Sequence, residues 1–161
     1  YEFKILNSVL DVNQKQRLVL LSKLKSHLGV SLENKKIALW GLAFKPNTDD
    51  IREAPALYMI DGLLEAGCQV VVYDPEAMEN VKEIYGDKIQ YAQDMYQALE
   101  QVDALCILTE WSVFRTPDFD KMKRIMKEPV IFDGRNLYGI ENMQESGFHY
   151  SSIGRKTIEN G

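Results

Sequence analysis

From Lys35 onward the chain alternates short apolar runs with longer amphipathic ones, and this alternation restricts the possible fold more than any other property of the sequence. Compact runs rich in Val, Ile, Leu and aromatic residues read as strands; apolar residues recurring every three or four positions read as helices. The pattern predicts strands at Lys36–Gly41, Gln69–Tyr73, Ala104–Leu108, Val130–Asp133 and Phe148–Ser152, with a minor strand near Lys88–Tyr91. Between them it predicts helices at Pro55–Ala66, Glu79–Tyr85, Asp94–Gln101, Asp118–Met126 and Glu141–Ser146. Repeated strand–helix–strand units with right-handed crossovers leave few topologies. The expected fold class is therefore α/β: a Rossmann-like, mostly parallel six-stranded sheet with helices on both faces, in the order 3-2-1-4-5-6.

Ahead of this unit, Ile5, Leu6, Val9, Leu10, Val12, Leu18, Leu20, Leu21, Leu24 and Leu28 predict one long helix over residues 3–28, stopped by Gly29. Polar residues interrupt its stripe at Asp11, Asn13 and Gln14 to Arg17. Such a helix reads either as a connector or dimer face, or as an extra helix packed on the sheet. The division expected is residues 1–30 for the helix and 31–161 for the α/β domain.

A chain of 161 residues can bury a real core, and its 45% hydrophobic and 27% charged residues are globular values. A net charge of −5 argues against nucleic-acid or membrane-surface partners, because no broad cationic field is available. A small anionic ligand stays open, since a few local cations suffice. With no apolar run long enough to span a membrane and no secretory pattern, the chain reads as cytoplasmic. Its start without Met reads as that of a piece of something longer. Cys68 and Cys106 lie in or beside strand-like runs and read as reduced core thiols. No Cys/His spacing suggests a metal, and His27 and His149, far apart in sequence, are read as structural or surface residues.

The loop after the first strand, Gly41 to Pro55, reads GLAFKPNTDDIREAP. A plain strand–helix connector needs only about 2–6 residues. Its length and mixed charge therefore ask for another purpose, and open α/β sheets hold ligands at the carboxyl ends of strands beside a topological switch. The order 3-2-1-4-5-6 would bring this loop together with Thr109-Glu110-Trp111 and Gly134-Arg135-Asn136, gathering Lys45, Arg52, Trp111 and Arg135. Cations beside an aromatic face suit an anionic ligand carrying a base. Gly41 alone is no dinucleotide fingerprint, and Asp74 before Pro75 reads as a turn former rather than a ribose ligand. Arg52 can equally pair with Asp49 or Asp50, Arg135 can bridge to Asp133 or Glu110, and Trp111 suits core or lid better than a stacking platform.

These residues also carry a resemblance. The loop GLAFKPNTDDIREAP is similar to the signature of the C-terminal domain of the nucleotide-sugar dehydrogenases, the UDP-glucose/GDP-mannose dehydrogenase family. VYDP at 72–75, LTEW at 108–111, FDGRN at 132–136 and YSSIGR at 150–155 resemble its later blocks in the same order. The helix containing Val12-Asn13 resembles the last helix of the family's central dimerisation domain. The resemblance implies the UDP-binding part of an NAD-dependent UDP-glucose 6-dehydrogenase, converting UDP-glucose to UDP-glucuronate with two NAD reduced. Alternatives are the enzyme acting on UDP-N-acetylmannosamine, or a non-catalytic uridine-nucleotide-binding module. It implies that Phe44, Lys45 and Arg135 contact the UDP-sugar and that Arg52 reaches the cofactor. It further implies partners in the protein's own N-terminal and central domains and a homodimer. The family's catalytic cysteine motif and NAD fingerprint have no counterpart here, so no catalytic residue is expected in this chain.

Overall fold

The computed structural model describes residues 4–160. The expected start of the first helix at Phe3, the neighbouring Tyr1 and Glu2, and the terminal Gly161 lie outside the described residues. Six strands, β1 (Lys36–Trp40), β2 (Gln69–Tyr73), β3 (Gln90–Tyr91), β4 (Ala104–Ile107), β5 (Val130–Asp133) and β6 (His149–Ser152), form one sheet in the order β3-β2-β1-β4-β5-β6. Every pairing within it is parallel. The strands β4, β5 and β6 are buried along their whole length, as a parallel sheet covered on both faces requires. The reversal of strand order falls between β1 and β4, as the alternation predicts.

The helical region before the sheet is α1 (Lys4–Arg17) and α2 (Val19–Leu28), interrupted only at Leu18. Its halves have different fates. Leu20, Leu21 and Leu24 of α2 are buried against the sheet domain, whereas α1 buries none of its residues. The close approach is made possible by Gly62 of α3 (Pro55–Glu65), where a Cβ would stand 2.4 Å from Leu21 Cδ2. Packing of α2 on the domain agrees with the reading of an extra helix on the sheet, whereas α1 presents Ile5, Val9 and Val12 to solvent.

The remaining helices are α4 (Met78–Tyr85), α5 (Phe119–Ile125) and α6 (Ile140–Ser146). Local chemistry sets their ends: Pro55 fits the first turn of α3, Asp118 caps α5 by accepting from Lys121 N at 2.9 Å, and Gly147 closes α6 in the left-handed conformation. One expected helix is absent. Over Asp94–Gln101 only a 3-10 turn, Gln97–Leu99, forms. Asp94 Oδ1 accepts from Tyr96 N and Gln97 N, and Gln97 Oε1 accepts from Gln93 N. These bonds satisfy the local donors without helix, and Gln101 at φ 56 turns the chain away.

Candidate functional site

Two buried carboxylates at strand ends shape the crevice. Asp74, just after β2, is 1% exposed and takes five hydrogen bonds. Oδ1 accepts from Glu76 N and Ala77 N, forming the turn into α4. Oδ2 accepts from Leu42 N at 2.7 Å, Ala43 N at 3.0 Å and the Trp111 indole at 3.0 Å. Asp133, at the end of β5, accepts from Arg135 N, Leu137 N and the Tyr150 hydroxyl at 2.7–2.8 Å. The segments after β1, β2, β4 and β5 are thus held by two buried carboxylates that do not themselves line the cleft. Gly41, at φ 93, allows the first loop to pass the β4 exit: a Cβ there would lie 2.5 Å from Thr109 Cβ.

The same bonds bear on dinucleotide binding. The backbone donors after β1 that a glycine-rich fingerprint would turn toward a pyrophosphate are here committed to Asp74. The turn after β1 therefore does not fit NAD as its main anchor.

Between the first loop, the β5 loop and the helical arm lies a cleft of about 500 Å³. Phe44, Lys45 and Glu53 line it from the first loop, Gly134 and Arg135 from the β5 loop, and Asn13, Gln16, Arg17 and Leu20 from the arm. Phe44 is 54% exposed, an open aromatic face at the rim. Lys45 is exposed, and among the described residues it enters no salt bridge. Arg135 donates from Nη2 to Glu110 Oε1 at 2.8 Å. Burial raises the Glu110 carboxyl pKa, but the hydrogen bond and charge of Arg135 outweigh it and hold the group below the usual carboxylate range. Glu110 is thus an ionised clamp on Arg135 rather than a proton acceptor in waiting. Arg17 reaches down from α1 to Glu53 Oε2 at 2.8 Å and to the Tyr58 hydroxyl, tying the arm to the loop. Glu53 accepts this bond from a left-handed backbone at φ 57, an uncommon conformation for a glutamate.

Of the four residues that the strand order was expected to gather, Lys45 and Arg135 line the cleft. Arg52 and Trp111 do not. Arg52 is 88% exposed and pairs with Asp50 at 2.8 Å, the loop-holding alternative. Its side chain and backbone N–H bring the Asp50 carboxyl from 3.8 to about 2. Trp111 is buried, its indole spent on Asp74, and the cleft's aromatic is Phe44. Asp74 does more than form a turn, and Asp133 acts on the backbone of Arg135 rather than its guanidinium. Sequence reasoning missed Asn13, Gln16 and Arg17 as cleft residues. Their signal was the polar break in the stripe of the first helix. Cys68 and Cys106 are buried free thiols, neither of them in the cleft lining, and burial pushes the Cys106 thiol above its ordinary range, away from the thiolate that a nucleophile needs.

Fold and cleft together define a Rossmann-like α/β domain with a cationic, aromatic-rimmed crevice at its switch point. Comparison with known proteins narrows this. Residues 38–140 match the family model described as UDP-glucose/GDP-mannose dehydrogenase family, UDP binding domain, and the chain belongs to that family. It is 43% identical over 158 residues to UDP-glucose 6-dehydrogenase TuaD of Bacillus subtilis, covering 98% of this chain and 34% of that protein. It is 40% identical to a UDP-glucose 6-dehydrogenase of Rhizobium meliloti, covering 94% of this chain and 35% of the relative. Among solved structures, a UDP-glucose dehydrogenase from Pyrobaculum islandicum superposes with a TM-score of 0.75 at 32% identity, over 90% of this chain and 31% of that one. The chain thus spans about a third of the length of these relatives.

Proposed function

We propose that this chain is the C-terminal, UDP-binding part of an NAD-dependent UDP-glucose 6-dehydrogenase. The observation that carries the reading is the convergence of Phe44, Lys45 and Arg135 on one cleft within a chain of this family. Lys45 supplies a mobile point charge for a diphosphate, Arg135 a planar fork preset by Glu110, and Phe44 an apolar face for a base or sugar. The relatives named above are UDP-glucose enzymes, which favours glucose over N-acetylmannosamine as the sugar. Residues 1–30 would belong to the end of a central dimerisation domain and residues 31–161 to the UDP-binding domain. NAD would be held by a preceding domain, with Arg52, exposed on its loop, reaching across to it. A homodimer and a cytoplasmic setting complete the reading; among the described residues no helix is long and apolar enough to cross a membrane. Calorimetric titration with UDP tests the reading directly. Saturable one-to-one binding that weakens in Arg135→Ala is expected; no heat with UDP or UDP-glucose, from a chain folded by circular dichroism, would sink it.

A further inference from the structure

A second concavity, of about 650 Å³, lies between α2, β6 and the C-terminal segment that returns along it. It is built by an antiparallel bridge between Tyr150 and Ile158, whose two N–H···O bonds are both 2.9 Å. In such a ladder the pairs on either side of a hydrogen-bonded pair are the closely spaced ones. Here those are His149 with Glu159 and Ser151 with Thr157, and both meet: His149 Nδ1 stands 3.1 Å from Glu159 Oε2, and the two hydroxyls 3.2 Å apart. The opposite wall is α2. Lys23 and His27, one helical turn apart, face the same two strand positions. Lys23 Nζ donates to Ser151 Oγ at 3.3 Å, and the His27 ring stacks on His149 with centroids 3.7 Å apart.

We propose that His27, His149 and Glu159 form a binding site for a divalent transition-metal ion of the zinc class, which clips the C-terminal segment to α2. Their ligand atoms already lie within 4.8 Å of one another. Bonds of about 2.0–2.1 Å put tetrahedral donors about 3.3 Å apart, and the His149–Glu159 separation of 3.1 Å is close to such an edge. Stacked rings aim their in-plane lone pairs side by side, so metal binding turns the His27 ring out of the stack; His27 and Glu159 are both exposed and can reorient without moving the core. His149 is buried and held by the strand, a fixed point for the other two. Two imidazoles and one carboxylate suit zinc, cobalt or nickel, with the fourth position left to water. His27 sits in the last turn of α2, where the free carbonyl ends favour a cation. A hydrogen-bonded His149–Glu159 pair would account for those two residues alone; it does not require a third donor, from a separate helix, pressed against them. His149 opens β6 and so lies at the amino edge of the sheet, across from the cleft at the carboxyl ends. A metal there would act on the packing of the arm and the C-terminal segment, not on the cleft's ligand.

The experiment uses the tag-free chain after treatment with a chelator, titrated with Zn²⁺ by calorimetry and with Co²⁺ by visible absorption. One ion per chain is expected, with the intense visible bands of a low-coordinate cobalt site and a rise in the thermal midpoint on adding zinc. His27→Ala and Glu159→Gln change exposed residues and should keep the fold by circular dichroism. Each should weaken zinc binding by at least about tenfold, since even residues that only support metal ligands matter by that much. Zinc should also slow backbone hydrogen exchange over residues 157–160 in the parent and not in His27→Ala. Substoichiometric binding, or affinities of both variants within about twofold of the parent, a small fraction of what loss of a true ligand costs, would overturn the proposal.

Discussion

Trp111 donates its indole N–H to the buried carboxylate of Asp74 at 3.0 Å, so that loops 37 positions apart share one acceptor. The same oxygen accepts from Leu42 N and Ala43 N. Asp74→Ala would strand several buried donors at once. Hydrogen bonds to a charged group contribute about 1.5–3 kcal/mol each, and unsatisfied buried donors cost about 1–3 kcal/mol. A loss of at least about 3 kcal/mol in urea-induced unfolding is therefore expected, with Asp74→Asn milder because it keeps an acceptor. A loss under about 1 kcal/mol would mean that the loops hold without this hub.

Lys45 is exposed at the cleft rim, so its removal should leave stability alone and act on binding. A lost charge-assisted contact is worth about 1.5–3 kcal/mol, or roughly ten- to hundredfold in affinity. Lys45→Ala should weaken UDP binding by that amount with an unchanged unfolding midpoint. Equal affinity for parent and variant would remove Lys45 from the site.

The Asp50–Arg52 pair gives a pH signature for the first loop. The Asp50 carboxyl is depressed from 3.8 to about 2 by its bonds to Arg52. A depressed carboxylate contributes stability that is present above its unfolded value and lost as pH falls through its folded value. The loop should therefore stay ordered at pH 4 and loosen as the pH falls from about 3.8 toward 2. NMR titration of the Asp50 carboxyl should show the low value in the parent and a return toward 3.8 in Arg52→Ala. An ordinary value in the parent would show that the pair does not persist in solution.

The chain alone should not form NADH from UDP-glucose and NAD. Oxidation to a carboxylate needs a hydride acceptor held against the sugar and a thiolate to trap the aldehyde-level intermediate. Cys106 is fully buried and Cys68 donates to Leu32 O in the core. UDP binding without turnover is the expected behaviour. Turnover that vanished in Cys106→Ser would contradict both the fragment reading and the inert thiol.

Ile5, Val9 and Val12 repeat along one side of α1 and are 83%, 49% and 61% exposed. An apolar stripe of this kind favours association. Sedimentation should show concentration-dependent self-association of the chain, abolished in the double variant Ile5→Lys, Val9→Lys. A single monomer mass for both proteins across the accessible concentrations would count against a role for this stripe.

The sequence alone determined the sheet order, the parallel pairing and the place of the switch point, because strand and helix periods are local and few right-handed topologies join them. It also singled out Lys45 and Arg135, since loops at strand ends beside the switch must converge on one crevice. Tertiary structure alone decided which of the gathered groups face that crevice. Arg52 pairs with Asp50 and the Trp111 indole with buried Asp74, alternatives that spacing offered but could not choose between. It decided the fate of the first helix as well: the same stripe continues through Leu18, but among the described residues only the α2 half buries its leucines against the domain, at a face opened by Gly62. And it brought His27 against His149, residues from distant parts of the sequence, because a helix turn and a strand register meet only once the sheet has formed.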